Sequence, residues 1–517
     1  MSTARKIISN TLAQIIGKLL VTVIGLTTVK MTTSYLAVKG YGEYTAVYEF
    51  LAFFGIAADL GFFTIGVKEM SQNEDKIPLI IGNILSLRTI SVIFTMILAV
   101  ILGFVVPTYQ GTRIPMGIAI SSLTVFYTMM NGTITSVLQV KMKMHIASIA
   151  TILGKIVTVL CMVYIIFYGF PDDKDMGFDM LMVAGVVGTA VMHFTTNYYV
   201  KKITPLKHRF DLAIWKELIT KSLPYGIALI LSTIYFRMNS VLISIMRGQE
   251  ELGIYGVASK LLEQFTIIPL YFMNSVLPVL AKSIKEGTSS SNPDASVKYK
   301  TIIRYSFDFL VAMSVPMVVG IYILAYPIVF IISTPEFLSR TAEGFYGSDI
   351  ALKILIFALL FQFINILFAF ILIAVNKQGK LLYINGACVT LNLIINFFLI
   401  PRYGFIGAGI TYVISELFIL VVAAIMARRY VEFSLNFINV FKIIFSAAIM
   451  GAIVYYLEPI TYKYLQNWGV FVLAALGGVI YVAMLFVTRV IDKDMMSLIR
   501  KSEVAEAPED LTSTKNL

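Results

Sequence analysis

The chain has 517 residues, of which 58% are hydrophobic and only 14% charged, with a mean hydropathy of +0.84. A soluble domain cannot bury that much apolar surface, whereas a bilayer can. The net charge of +11 is then read as a set of topological signals along the chain rather than as a nucleic-acid-binding surface.

A membrane span needs roughly 20 apolar residues of helix. Taken in chain order, the expected spans cover residues 8–36, 44–67, 78–106, 114–137, 146–168, 178–200, 218–246, 252–281, 303–332, 350–375, 381–400, 405–427, 438–457 and 467–488. The first is too long for the apolar core of a signal peptide and lacks a small-residue cleavage site, so its retention is expected. The eleventh and twelfth are separated only by Pro401–Gly404, which predicts a tight hairpin. Only helices and closed barrels satisfy the backbone in lipid. These segments far exceed the roughly 10-residue alternating strands of a barrel, so the expected fold is an all-α polytopic membrane protein with about 14 transmembrane helices. A short helix over Ile491–Lys501 and an acidic tail from Glu503 follow the last span.

With the N-terminus placed in the cytoplasm, the even-numbered connections carry the basic clusters, for example Lys201, Lys202, Lys207 and Arg209, or Lys282, Lys285, Lys298 and Lys300. The odd-numbered ones carry single basic residues, and the third is acidic, with Asp172, Asp173 and Asp175. This asymmetry predicts that both termini are cytoplasmic. Trp215 and Trp468 fall at predicted span ends, as interfacial anchors do. Cys161 and Cys388 both lie within spans, so they imply neither a disulfide framework nor a metal site.

An internal repeat is visible. YGEYTAVYEFLAFF from Tyr41 matches LGIYGVASKLLEQF from Leu252, setting Gly42 over Gly253 and Tyr44 over Tyr255. A YGF triplet at Tyr168–Phe170 recurs at Tyr403–Phe405. Together these place six spans over six in one orientation, which predicts two lobes related by a pseudo-two-fold along the membrane normal, with two extra C-terminal helices. The expected divisions are residues 1–209, 210–430, 431–490 and a cytoplasmic tail at 491–517. Within the second, Phe210–Leu223 reads equally well as an interfacial amphipathic linker helix or as an extension of the seventh span.

Three stretches carry a resemblance: Gly40–Ser71, Leu252–Ser283 and Leu391–Glu416. In them the chain resembles the polysaccharide-export, Wzx-type flippases of the multidrug/oligosaccharidyl-lipid/polysaccharide exporter superfamily. The likeness covers roughly residues 5–430 and rests on fuzzy, family-level patterns. It implies a two-lobed carrier that moves a polyprenyl-diphosphate-linked oligosaccharide to the outer leaflet of a bacterial cytoplasmic membrane. Membrane lipids and other polysaccharide-assembly proteins are its expected partners, and no cofactor is expected. Lipid II flippases of the same superfamily also carry two extra helices, to which holding of the lipid tail is ascribed. Many relatives have an Asp where this chain has Asn239, which puts in doubt any role that needs a carboxylate there.

Charges stranded inside spans cost about 2.5–3.5 kcal/mol each on insertion scales and need a reason to be there. Lys18, Arg88, Lys155 and Arg237 are the deep bases, and they suit a doubly phosphorylated headgroup, since Arg offers phosphate a bidentate fork and Lys a point charge. The expectation is that these four line a central cavity that receives the diphosphate; the bland reading is that each pairs with a neighbouring acid. Glu49 and Lys260 occupy equivalent positions in the repeat, so they are expected to meet as an outer gate, against local pairing of Lys260 with Glu263. Asp59 and Glu416 are candidates for ion coupling. His193 reads as a packing residue more readily than as a proton relay. Asn365, Asn385, Asn392 and Asn396 fit either sugar contacts or polar helix–helix contacts.

No Walker loop is present: Gly17-Lys18, Gly154-Lys155 and Gly379-Lys380 are followed by Leu, Ile and Leu. Three scattered histidines build neither a metal site nor a Ser-His-Asp constellation. A drug/cation antiporter of the same superfamily remains an alternative, with Asp59 as its acid, although the lysines of the first span argue against it. A polytopic polymerase or ligase is a further one, and it lacks a sizeable outer loop to hold catalytic groups.

Overall fold

The computed structural model describes residues 3–289 and 293–490, leaving some side chains aside, including those of residues 3–16, 18 and 19. Fourteen α-helices account for most of that range: α1 (Thr3–Asp59), α2 (Phe62–Gln72), α3 (Ile77–Val105), α4 (Ile114–Val140), α5 (Met144–Tyr164), α6 (Lys174–Lys201), α7 (Leu212–Met246), α8 (Gln249–Phe265), α9 (Ile267–Ser289), α10 (Pro293–Ile332), α11 (Ser348–Ala374), α12 (Gly379–Arg428), α13 (Phe437–Leu465) and α14 (Gly469–Val487). The only pairing of extended backbone among the described residues is a single bridge, Arg340 with Phe345. The predicted helix Ile491–Lys501 and the tail beyond it lie outside the described residues.

Ten stretches of described helix are long and apolar enough to cross a membrane. The number is lower than that of the expected spans because several stretches exceed a single crossing. The 50 residues of α12, at 1.5 Å per residue, would be roughly twice as long as a hydrocarbon core of about 30 Å is thick. Large apolar side chains such as Phe94, Phe104, Phe397 and Phe441 point outward, more than half exposed. Such a surface needs a bilayer to cover it.

Two of the long helices reverse direction at one residue. In α12 that residue is Gly404, with φ 56° and ψ −136°, a region that is strained for residues carrying a Cβ. A Cβ there would also overlap the Glu251 carboxylate. Past the reversal the two halves lie side by side, so that Asn392 Nδ2 donates to Ser415 Oγ at 3.0 Å. The tight turn expected at Pro401–Gly404 is therefore present. In α1 the break is at Ala37, with φ 58° and ψ −170°, and it lets Gly25 and Tyr48 border one cavity.

The expected eighth span, 252–281, divides at Thr266 into α8 and α9. Pro269 falls in the first turn of α9, where a proline's missing N–H matters least. The segment from Phe210 resolves as an extension of the seventh span rather than a separate linker: α7 runs unbroken from Leu212, capped by Asp211, whose carboxylate accepts from the backbone N–H groups of Ala213 at 3.0 Å and Ile214 at 3.2 Å. Asn83 holds the cap in place, its Oδ1 accepting from Asp211 N at 2.9 Å.

Helices α3 to α6 pack around α1, and α8, α9 and α12 around α11. α1 packs on α7 and α8, which joins these two groups. The repeat glycines meet in that contact: a Cβ at Gly42 would lie 3.1 Å from Gly253 N, and one at Gly253 would lie 3.3 Å from Gly42 N. Only two glycines allow the backbones this close. α13 and α14 pack on α10, where Tyr481 Oη donates to Ala312 O at 2.7 Å and Asn439 Nδ2 to Asp308 Oδ2 at 2.7 Å.

Candidate substrate cavity

Two cavities adjoin Arg237 of α7. The larger, about 840 Å³, is bordered by Tyr48, Thr124, Tyr235, Gln362, Asn385 and Glu416 among others, so α1, α4, α7, α11 and α12 all contribute. The smaller, about 430 Å³, is walled by threonines and tyrosines of α1 together with α5 and α6, and it includes Lys155 and Lys260. Of the four bases expected in a central cavity, Arg237 and Lys155 border one. The side chain of Lys18 lies outside the described residues.

Arg88 points elsewhere. It is almost wholly buried and forms an ion pair with Asp59 at the end of α1, while its Nη1 donates to Thr133 Oγ1 at 3.0 Å. Neither Arg88 nor Asp59 borders the two cavities, so Arg88 is not brought together there with Arg237 and Lys155. A buried guanidinium needs a counter-charge nearby, and the carboxylate one helix away supplies it. Asp59, expected as a coupling acid, is the partner in that pair.

At the boundary of the two cavities, acids and bases form a four-membered cluster. Arg237 Nη1 lies 2.8 Å from both carboxylate oxygens of Glu49 and 3.1 Å from Glu263 Oε1. Lys260 Nζ lies 3.1 Å from Glu49 Oε1 and 3.4 Å from Glu263 Oε2. The pairing across the repeat and the local pairing within α8 therefore coexist. Glu49 is the member most withdrawn from solvent, at 2% exposed. Two carboxylates against two bases leave the cluster near neutrality, so an incoming anion competes with Glu49 and Glu263 for the same donors.

Glu416 borders the larger cavity and has amide partners instead. Its Oε1 accepts from Gln362 Nε2 at 2.8 Å and its Oε2 from Asn365 Nδ2 at 2.6 Å. Asn239, Asn392 and Asn396 form a neutral ladder beside it: Asn396 donates to Asn239 Oδ1 and to Asn392 Oδ1, both at 2.7 Å. His193 packs between Tyr127 and Phe194 at ring separations of 5.8 and 5.5 Å. Lys30 reaches the carbonyls of Phe330 and Ser333 at the end of α10, where a helix C-terminus attracts a cation. No group of His, Cys, Asp or Glu among the described residues could hold a metal ion.

Sequence reasoning missed two features. It did not bring Glu263 to Arg237, which needs the contact between α7 and α8, and it passed over Gln362. A lone glutamine inside one of the most apolar helices was the available signal, since such a group must find a polar partner.

Comparison with known proteins adds the following. The family model described as "Polysaccharide biosynthesis protein" matches residues 3–284, more than half of the chain. The capsular polysaccharide biosynthesis protein CapF of Staphylococcus aureus is 24% identical over 257 residues, 49% of this chain and 60% of CapF. The match thus spans less than two thirds of that relative. Among solved structures, the lipid II flippase MurJ in an inward closed conformation superposes with a TM-score of 0.69, 13% identity, 96% of this chain and 100% of that one. An inward-facing multidrug resistance MATE transporter of the MOP superfamily superposes with a TM-score of 0.62, 14% identity, 78% of this chain and 94% of that one. At these identities the superpositions show a shared multi-pass helical fold.

Proposed function

The chain belongs to the polysaccharide biosynthesis family, a family of membrane transporters rather than enzymes, and from that premise we propose that it is a flippase for a polyprenyl-diphosphate-linked oligosaccharide. It moves this lipid from the cytoplasmic to the outer leaflet of a bacterial cytoplasmic membrane by alternating access, for the building of a cell-surface polysaccharide. The observation that carries the reading is the placement of Arg237, Lys155 and Lys260 around a cavity whose wall also holds many threonines and tyrosines, among glycines and a few apolar side chains. Three bases offer a diphosphate point charges and a bidentate fork, and threonines and tyrosines offer a sugar hydrogen bonds. Lys18 stands on the same helix as the cavity threonines, and its side chain lies outside the described residues. Arg88 is left out of it and assigned to helix packing. MurJ, to which the fold is similar, is by its name a flippase of lipid II.

The reading includes fourteen crossings with both termini cytoplasmic. Lobes at 1–209 and 210–430 are related by a two-fold along the membrane normal, and 431–490 adds two helices. The meetings of Gly42 with Gly253 and of Glu49 with Lys260 support it, because equivalent residues touch one another only near a symmetry axis. The cluster around Glu49 then serves as the outer gate, and Glu416 faces the pathway.

The test uses proteoliposomes that hold a fluorescent polyprenyl-diphosphate sugar, with an impermeant quencher outside. Protein-dependent exposure of the dye, lost in Arg237→Ala, is the expected result. No exposure with several glycans, together with efflux of a cationic dye, would replace the reading with that of an antiporter.

A further inference from the structure

Glu416 sits beside amide oxygens that lack donors, on a cavity wall that also carries the buried hydroxyl of Tyr235. Its two oxygens already take one N–H each from Gln362 and Asn365. Turning either amide over would set a carbonyl oxygen against a carboxylate, so the nitrogens are held toward Glu416 and the oxygens are left over. Those oxygens, Gln362 Oε1 and Asn365 Oδ1, are buried and accept no hydrogen bond. Asn365 is itself only 8% exposed. All three side chains border the 840 Å³ cavity, as does Arg237. Buried acceptors without donors are costly, and in an empty cavity water fills that need. A ligand that displaces the water must bring donors of its own or lose affinity.

Resting on the flippase reading above, we propose that Glu416, Gln362 and Asn365 form a glycan subsite that takes a neutral, hydroxyl-rich sugar and rejects one bearing a carboxylate. A sugar ring carries several O–H donors on adjacent carbons, which matches a carboxylate flanked by two amide oxygens. An acidic sugar at this place sets a second carboxylate beside Glu416. Arg237, shared between Glu49 and Glu263 and assigned above to the diphosphate, is not left over for a sugar carboxylate. The substrate is thus read at two places of one cavity: its diphosphate at the bases, and its sugar at a group of acceptors.

The experiment compares three fluorescent polyprenyl diphosphates in proteoliposomes: one bare, one bearing a neutral trisaccharide, and one bearing the same trisaccharide with a uronic acid in it. The wild-type protein is expected to flip the neutral glycan at least about tenfold faster than the acidic one, since buried polar groups left unpaired discriminate strongly. Glu416→Gln should narrow that ratio several-fold. Gln362→Leu should slow the neutral glycan selectively, and it serves if Glu416→Gln fails to insert. Equal slowing of all three lipids by Glu416→Gln, with loss of their dependence on a sodium or proton gradient, would make Glu416 a coupling residue and overturn the subsite alone. If the wild-type protein moves none of the three lipids, the flippase reading is lost and the subsite with it.

Discussion

Glu49 and Lys260 stand 211 residues apart in the chain and meet at 3.1 Å. They hold equivalent positions in the two copies of the repeat, each seven residues past the glycine that touches its counterpart, Gly42 or Gly253. One copy presents an acid where the other presents a base, so an approximate symmetry ends in a complementary contact.

Reversing one charge of this pair should cost more at Glu49 than at Lys260. Glu49→Lys leaves Arg237 and two lysines facing Glu263 alone, and breaking a buried pair from one side costs about 3–5 kcal/mol. Lys260→Glu sets three acids against Arg237, but the side chain at 260 is 28% exposed against 3% at Glu49, so water offsets part of the imbalance and a smaller loss is expected. The double reversal should recover most of the stability and flipping of the wild type. Thermal unfolding of the purified protein and the liposome assay measure both; a double variant no better than the worse single one would count against the gate.

Arg88 and Asp59 should behave as a packing pair. Arg88→Ala and Asp59→Ala each strand a buried charge, and each should lower stability by about 3–5 kcal/mol. Replacing both together by Met and Leu removes the stranded charge and should restore stability to within about 1–2 kcal/mol of the wild type, with flipping retained. Loss of flipping in a stable double variant would return Arg88 to the transport pathway.

Gly404 should resist substitution far more than Gly386, earlier on the same helix. Gly404→Ala meets both an unfavourable backbone, worth roughly 1–2 kcal/mol, and the carboxylate of Glu251, which accepts from Phe405 N at 2.8 Å. A Cβ at Gly386 meets nothing within 4 Å, so Gly386→Ala should be neutral or slightly stabilising. Unfolding temperatures of the two variants decide it, and equal values would sink the strain argument.

Single cysteines should map the sides of the membrane. In a background of Cys161→Ser and Cys388→Ala, cysteines placed at Lys143 or Lys377 are expected to react with an impermeant maleimide only after the cells are opened. At Asp172 or Glu343, all four sites being exposed, they should react in intact cells. The opposite pattern would invert the proposed orientation.

Much of the fold was legible because its cause is local. Apolar runs, Pro401–Gly404 and the matched glycines act within a few residues of themselves, so the helical class, the hairpin in α12 and the correspondence of Gly42 with Gly253 can be read along the chain. The long-range pairing of Glu49 with Lys260 was legible only through that repeat. Arg88 shows the limit: depth in a span says that a charge needs a partner, not on which side of the helix the partner lies. Thr266 shows another, since composition does not reveal where the hydrogen bonding of a continuous apolar run is interrupted.

The sequence by itself determined that this protein lies in a membrane as a bundle of helices, because hydrophobicity and backbone hydrogen bonding leave a long apolar segment no other choice. Only the tertiary structure decided which charges face a cavity and which neutralise one another. Ion pairing falls off over a few ångströms, and the packing of α1 against α7 and α8 sets those distances. Arg237 came to rest between Glu49 and Glu263 at the edge of a cavity, Arg88 against Asp59 away from it, and Glu416 among amides that leave its site short of donors.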